Sequence, residues 1–546
     1  MLCFVILSAI WTLALYWKAM AAPFVYDDLG QIARNPVLAS FHATLVRYCL
    51  SPVAFTNKLH GIGGSTYRPL FWLSLALDAH VWGLDSAAGF HATNLLLHWA
   101  DGVLLFVVLR RIRIASMPAA VTVLVWLGLP INSEVVAWVS CRAYLLCGLF
   151  LFAGLLAGLK YCSDGRRIFL AGYFVLALAA LLSQEEGVLL LPLMLLAAYA
   201  AGYELHRFWV RLAGAPLLAG VAYLVVRHFV GGPSAKASPA LWSIGSVFWK
   251  YVQWTILPIH MSMERSTSTP SNLPTVAAIA AWAAMLLLAG GAVLVWKRMP
   301  AVALGLLWGL VGLLPFCGVV HIYQGMAERF CYLASAGFAL AIVSLLLEYS
   351  RAWKEAAACV LLVWIAWGGW RLRARVLDWC DPVALYRSSL QATPDSQTLW
   401  SDLGDAERDR GNLKEAVMAY EHALALRPND PGTALNLALT LEGSGDYRGA
   451  EQQFKKVIAL APGEASPYLD LGALYTQEKR FDEAIQCFQS AIQADRLNPD
   501  GYFDLAVLLQ GIGRDDVALP FYKKVLELRP GDPDTIRNVS KLHLGR

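Results

Sequence analysis

Two adjacent aspartates, Asp27 and Asp28, stand in the stretch FVYDDLGQIARNP, directly after the first apolar run of the chain. Repulsion between neighbouring carboxylates and partial desolvation at a membrane surface both raise the cost of ionising them, so such a pair needs a reason to be there. More charge lies at the ends of later apolar runs: Glu134 and Arg142 in SEVVAWVSCRAYLL, Glu185 and Glu186 in SQEEGVLLLP, and His321, Glu328 and Arg329 in HIYQGMAERFCYLASAGF. A guanidinium is well shaped to hold a phosphate, although arginine at a membrane boundary also snorkels as a plain anchor. Acids and bases gathered at a lipid boundary are the residue types for chemistry on a lipid phosphate; an ion-pair network tying helix ends together would carry the same signature. In FHATNLLLHWAD, the residues His91, Asn94, His98 and Asp101 form one stripe of a helix. His91 and Asn94, nearer the outer end, are cavity candidates together with Arg68, Glu185 and Glu328, whereas His98 and Asp101 read as glue between helices.

These residues need a scaffold, and composition says which kind. Of 546 residues, 58% are hydrophobic and only 15% charged, against about 25% charged in soluble domains. The net charge of +4 hides a split: residues 397–546 carry 17 Lys and Arg against 23 Asp and Glu, leaving +10 for the rest. A basic membrane body with an acidic appendage argues against nucleic acid as a partner. The ten cysteines show no CxxC pair and no metal-ligand spacing, and read as small buried hydrophobes. The opening run lacks a basic n-region and a small-residue cleavage site, as expected of a retained span rather than a signal peptide.

Eleven apolar runs are candidates for spans: 1–22, 86–109, 114–133, 143–159, 168–184, 187–203, 212–226, 275–296, 301–320, 330–347 and 356–370. The stretch YRPLFWLSLALDAHVW, with Arg68 and Asp78, is expected to lie along the membrane surface within a first outer loop, 23–85. With the N-terminus in the cytoplasm, the short inner loops hold Arg110, Arg111, Arg113, Lys160, Arg166, Arg167, Arg207, Arg211, Lys297, Arg298, Arg351 and Lys354, and the short outer loops little beyond Arg142 and Arg329. That is the positive-inside pattern. One blemish is Arg371, Arg373 and Arg375, which follow the last span on the outer side. An eleven-span body, 1–370, would put the C-terminal domain on the same outer face as Asp27 and Asp28, joined to it by a linker, 371–396.

After residue 396 a period of 34 begins. Ala416, Ala450, Ala484 and Ala518 keep it, as do Leu403, Leu437, Leu471 and Leu505, and Tyr420, Phe454, Phe488 and Tyr522. With Trp400, Leu403 and Gly404 this is the tetratricopeptide pattern, giving four repeats over 397–532 and a capping helix to 546. Such repeats stack into a curved solenoid whose groove suits an extended peptide. Asp402, Asn436, Asp470 and Asp504, again 34 apart, are the candidate groove residues. Aspartate only accepts hydrogen bonds, so the groove is expected to prefer backbone N–H groups or basic side chains. An acid near a helix N-terminus is favourable without any ligand, and that reading stands beside it. The fold class is therefore all-α: a polytopic helical bundle followed by an α-solenoid.

FVYDDLGQIARNP, YRPL, GFHATNLLLH, EVVAWVSCRAYLL, SQEEGVLLLP and ERFCYLASAGF occur in this order ahead of the repeats. The ordered set resembles the transmembrane and tetratricopeptide repeat O-mannosyltransferases, the TMTC family, and their bacterial relatives, which share the GT-C membrane fold. The resemblance covers nearly the whole chain. It implies transfer of a sugar, mannose in characterised members, from a polyprenyl-phosphate donor to Ser or Thr of a protein acceptor on the periplasmic or lumenal side. It implies Asp27 as the base, with Asp28 raising and coupling its titration, inversion at the anomeric carbon, and Arg142 and Arg329 neutralising the departing phosphate in place of a metal. No cofactor is implied; in the lesser reading the two carboxylates hold a divalent cation. Where relatives commonly have Ser-Lys-Glu this chain has Ser183, Gln184 and Glu185, so a phosphate-binding lysine is missing. The short repeat array points to a bacterial protein of the inner membrane. Two alternatives remain: en bloc transfer of an oligosaccharide to a pilin or surface protein, and a membrane-anchored scaffold for secretion or pilus assembly.

Overall fold

The computed structural model describes residues 1–50, 67–230, 242, 244–259, 261–263, 275–317, 326–349 and 353–544; His321 lies outside them. The described residues are predominantly helical, with no strand among them. They form two compact units, 1–393 and 394–546.

Each of the eleven apolar runs coincides with a helix, but the helices differ in reach. Seven are long and apolar enough to cross a membrane: Leu2–Ala21, Ala87–Arg111, Val139–Asp164, His206–Val230, Val276–Val295, Glu328–Glu348 and Lys354–Trp379. The pair Ser116–Leu127 and Pro130–Ala137, bent by 54°, makes an eighth if it is one span, and Arg167–Ser183 and Pro300–Phe316 are shorter. The chain is a multi-pass membrane protein, and length alone supports seven or eight crossings where the apolar runs suggested eleven. Residues 187–203 fall short because the α-helix there is only Leu190–Ala200, preceded by a tight 3-10 turn, Glu185–Leu189. A helix over Ile244–Ile256 was not among the apolar runs; at 13 residues with one face buried, it is too short to register as a span.

Two local features decide where polar side chains end up. Pro130 has no N–H to continue the helix that closes at Leu127. The chain bends there, and the short segments Ser133–Ala137 and Val139–Cys141 carry Glu134, Trp138 and Ser140 sideways. Further on, Pro300–Leu313 and Tyr332–Ser344 touch backbone to backbone. A Cβ on Gly305 would lie 2.5 Å from the Gly337 carbonyl, and one on Gly337 would lie 2.5 Å from the Gly309 nitrogen. Small residues four apart on facing helices permit this contact in a bilayer, where packing rather than hydrophobicity drives association. It fixes the start of the helix that follows Arg329.

The last membrane helix runs on to Trp379, and Pro382–Ala392 adds another helix, so residues 371–393 go with the first unit rather than forming a free linker. The second unit is four helix pairs, from Gln397–Asp409 with Leu413–Leu426 to Pro499–Gly511 with Asp515–Leu528, closed by Pro533–Leu544. Ala416, Ala450, Ala484 and Ala518 are all fully buried, as are Tyr420, Phe454 and Tyr522. The small residue at Gly404 is forced by its neighbour: a Cβ there would meet the Tyr420 ring at 2.5 Å. Asp402, Asn436, Asp470 and Asp504 sit half-buried on the first helix of each pair. Asn436 donates to Asp405 at 3.0 Å, and Asp470 accepts from Ser466 at 3.3 Å. Burial, with Asp500 and Asp470 nearby, pushes the Asp504 carboxyl up to about 6.

Candidate functional site

The chain leaves its first helix through Ala22 and Pro23 and turns sharply at Tyr26, a non-glycine residue at φ 52°. The Tyr26 ring meets Trp138 edge-on at 5.4 Å. Backbone strain of this kind persists only where surrounding contacts impose it, and here it sets the direction of the next two side chains. Asp28 is fully buried; its Oδ1 accepts from the Ser140 backbone N–H at 2.8 Å and from the Ser140 hydroxyl at 2.5 Å. Its Oδ2 has no hydrogen-bond partner among the described residues. Burial pushes this carboxyl up to about 7, the Ser140 hydrogen bonds pull it back, and the Asp27 charge adds to the rise. Asp27 is half-buried beside it. Burial raises Asp27 to about 6, with the Arg329 guanidinium drawing it down. The two carboxyls therefore differ in kind: Asp28 is fastened, Asp27 faces a cation.

Arg329 is held by Glu134, which pairs with its Nη1 and accepts from its backbone N–H at 2.9 Å. The guanidinium also lies over the Trp138 and Phe330 rings, 5.4 and 5.0 Å from their centroids. Among the described residues its Nε and Nη2 carry no hydrogen bond, leaving donors for an anion. Arg142 is different. It is fully buried, pairs with Asp78 at 2.6 Å, and donates to Asn94 Oδ1 at 2.7 Å, Phe90 O at 2.8 Å and Ser74 O at 3.3 Å. Its three nitrogens are all engaged, so the residue expected to hold a phosphate instead fastens helices. Asn94 extends that fastening by donating to the Val136 and Trp138 carbonyls at 3.4 and 3.3 Å. His91 is buried against the backbone of Ala22 and Pro23, under the turn that carries Asp27. Below it His98 meets the Tyr332 hydroxyl at 2.9 Å, and Tyr332 donates to Asp101 at 2.7 Å. Replacing Arg142 with Met strands a buried Asp78, which costs about 3–5 kcal/mol; thermal unfolding in detergent should show the loss, and Asp78→Asn in the same chain should recover part of it.

Glu328 is not free for substrate either. It is fully buried and pairs with Arg375 at 3.1 Å, which also meets Asp378 at 3.3 Å and Ser388 at 3.0 Å. Of the three arginines that break the expected charge pattern, Arg375 is accounted for by these ion pairs. Arg68 and Glu185 form the half-exposed pair of the site, Nη2 to Oε2 at 3.0 Å. Burial is the largest single influence and raises the Glu185 carboxyl, but the Arg68 charge and hydrogen bond, a backbone hydrogen bond and the Arg227 charge together outweigh it and leave it below its ordinary range. Asp27, Asp28, Arg329, Glu134 and Ser140 thus come together, with Arg68 and Glu185 on a second side and Arg142, Asn94 and His91 as supports. The groove residues Asp402, Asn436, Asp470 and Asp504 belong to the other unit. Ser140 and Arg375 had no role in the sequence reading; only Arg375 carried a signal, as a charge on the wrong side. Among the described residues, no group of three or more His, Cys, Asp or Glu is placed to hold a metal ion.

Comparison with known proteins gives the following. Residues 383–500 match the family model for the cytochrome c-type biogenesis protein H TPR domain, and 480–533 match a tetratricopeptide repeat model. Protein O-mannosyl-transferase F38B6.6 of Caenorhabditis elegans is 23% identical over 442 residues, covering 76% of this chain and 61% of that protein. Protein O-mannosyl-transferase TMTC4 of Mus musculus is 24% identical over 75% of this chain and 64% of its own length. For TMTC1 of Homo sapiens the figures are 24%, 77% and 55%. The matched region is thus about three fifths of the length of these relatives.

Proposed function

We propose, for a chain that belongs with the TMTC-like proteins, a membrane glycosyltransferase that moves a hexose, mannose by kinship, from a polyprenyl-phosphate donor to Ser or Thr of a protein acceptor. The observation that carries this reading is Asp27: a half-buried carboxyl pushed to about 6, next to the Arg329 guanidinium and beside a fastened second carboxyl. Asp27 takes the proton from the acceptor hydroxyl as that oxygen attacks the anomeric carbon. The bond from that carbon to the phosphate oxygen breaks, its electron pair leaves with the lipid phosphate, and attack from the opposite side inverts the centre. Arg329, with its uncommitted Nε and Nη2, meets the developing charge, and Arg68 is the outer cation. Preorganised donors of this type stabilise a leaving group without reorganising during the reaction. Arg142 is reassigned to support, because every guanidinium nitrogen is already used.

The site and the repeats are read as facing the periplasmic or lumenal side, where the acceptor chain emerges, with the repeats recruiting it. The half-buried acids Asp402, Asp470 and Asp504 favour a basic or N–H-donating segment. Asp470→Asn with Asp504→Asn should weaken binding of a Lys-rich peptide about threefold to tenfold, with the difference shrinking at high salt; fluorescence anisotropy on the full chain measures it.

The test of the function itself is transfer by the full chain in lipid nanodiscs, from polyprenyl-phosphate mannose to a Ser/Thr-rich peptide, read by intact mass. Addition of one hexose sustains the proposal. Transfer only of larger glycans from diphosphate donors replaces it with en bloc transfer. No transfer from either donor leaves the repeats as the working part and favours the scaffold.

A further inference from the structure

One buried carboxyl is not used by the mechanism above. Glu186 is 3% exposed, and neither of its oxygens has a hydrogen-bond partner; among the described residues no other buried carboxyl lacks partners at both. Its position is fixed by the turn it sits on. Gly187 presses against the end of the preceding helix, where a Cβ would lie 2.6 Å from Leu181 N and 2.7 Å from Ala180 C. Gln184 N–H donates to Ala180 O at 2.9 Å, and Gly187 N–H to Gln184 O at 3.0 Å. These contacts hold the backbone of the turn from which the side chain projects.

Its surroundings define what it can hold. Glu186 feels the charges of Arg68, Glu185 and Arg329, and Tyr144 feels those of Arg329, Arg68 and Glu186. The acid is thus within electrostatic reach of both arginines assigned above to the donor phosphate, and its chain neighbour Glu185 holds one of them, accepting from Arg68 Nη2 at 3.0 Å. A free cation there is repelled by both guanidinium groups, and burial raises this carboxyl well above its ordinary range, which favours the neutral acid, a hydrogen-bond donor and acceptor suited to hydroxyl groups. A ligand with hydroxyl donors at one end and an anion at the other suits both parts, and a hexosyl phosphate is such a molecule.

Resting on the transferase reading, we propose that Glu186 is the residue that selects the transferred sugar, its two oxygens exchanging hydrogen bonds with neighbouring hydroxyls of the hexose on the donor phosphate. A site that hydrogen-bonds a substrate hydroxyl penalises a sugar that lacks it or carries it in the other configuration, because the buried acceptor is then left unmatched. Glu186 takes no proton from the acceptor hydroxyl and touches no breaking bond.

The full chain in nanodiscs is assayed with polyprenyl phosphates carrying mannose, glucose or galactose, which differ in hydroxyl configuration. The wild type should favour one donor by about tenfold to a hundredfold in kcat/KM. Glu186→Ala should lower the favoured donor by a similar factor and leave the others near their wild-type rates, so that the preference collapses; Glu186→Gln, which keeps one acceptor, should fall between. Equal loss with all three donors, or no loss with any, overturns the proposal, the first pointing to a structural role that a fall in melting temperature would accompany. A wild type that transfers from none of the three overturns the transferase reading, and this inference with it.

Discussion

Asp27→Asn should abolish hexose addition, with kcat/KM falling by about 10²–10⁴, while the protein reaches the membrane at its normal level. The substitution is isosteric and the Asp27 side chain is half-exposed, so packing hardly changes. What is lost is the only titratable acceptor that faces the acceptor hydroxyl in the proposed mechanism. Asp28→Asn should do less harm, because an amide oxygen still accepts from Ser140 N–H and Oγ and keeps the turn in place. Asp28, the higher of the two, is still protonated while Asp27 ionises, so its replacement should leave the Asp27 titration near where it is.

The pH dependence follows from the direction of the shift. Asp27 works ionised, and burial has raised it to about 6, so kcat/KM should drop about tenfold per pH unit below 6 and level off above about 7. Asp28, at about 7, titrates with it, and the limb reports the pair rather than either residue. Intact-mass profiles of exported proteins from cells making wild type or Asp27→Asn give the decisive contrast. Loss of a one-hexose increment assigns Asp27 to single-sugar transfer, and loss of a larger glycan assigns it to en bloc transfer. Identical profiles remove Asp27 as the base and favour the scaffold.

How much of this was legible in the sequence depends on whether a residue's role repeats or depends on its partner. The repeats were readable because each core position recurs with a fixed spacing: Ala416, Ala450, Ala484 and Ala518 are buried alike, and Gly404 meets Tyr420 as the packing demands. The stripe His91, Asn94, His98 and Asp101 was readable as one helix face, and His98 and Asp101 meet Tyr332 in the core. Arg142 and Arg329 look identical in sequence, each at the head of an apolar helix. Only tertiary structure tells that one faces Asp78 and Asn94 with each of its three nitrogens engaged, and the other Glu134 with two nitrogens left over. Glu328 was misjudged for the same reason, since Arg375 is 47 residues away. Counting apolar residues also cannot see a break: the bend of 54° falls inside the run 114–133, and the tight turn at Glu185–Leu189 takes the first residues of the run 187–203.

Arg329→Met should lower kcat about 10²–10³, the range for removing one preorganised donor to a developing oxyanion. It should also move the acidic limb of the pH profile upward. Arg329 is the charge that draws Asp27 down against its burial, so without it the base needs a higher pH to ionise. The single variant has a confounding effect, because Glu134 is fully buried and pairs with this guanidinium; stranding it destabilises the fold by several kcal/mol, about 3–5 for a typical buried pair. Arg329→Met with Glu134→Gln separates the two consequences by removing both charges together. Thermal stability should recover in the double variant, since the buried carboxylate is gone, while kcat stays low and the limb stays shifted. Arg329→Lys supplies the converse: it keeps a positive charge near Asp27, and so most of the limb, but loses the planar fork that serves Glu134 and a phosphate at once. If the double variant regains activity along with stability, Arg329 is a fastener like Arg142, and the phosphate must be met by Arg68 instead.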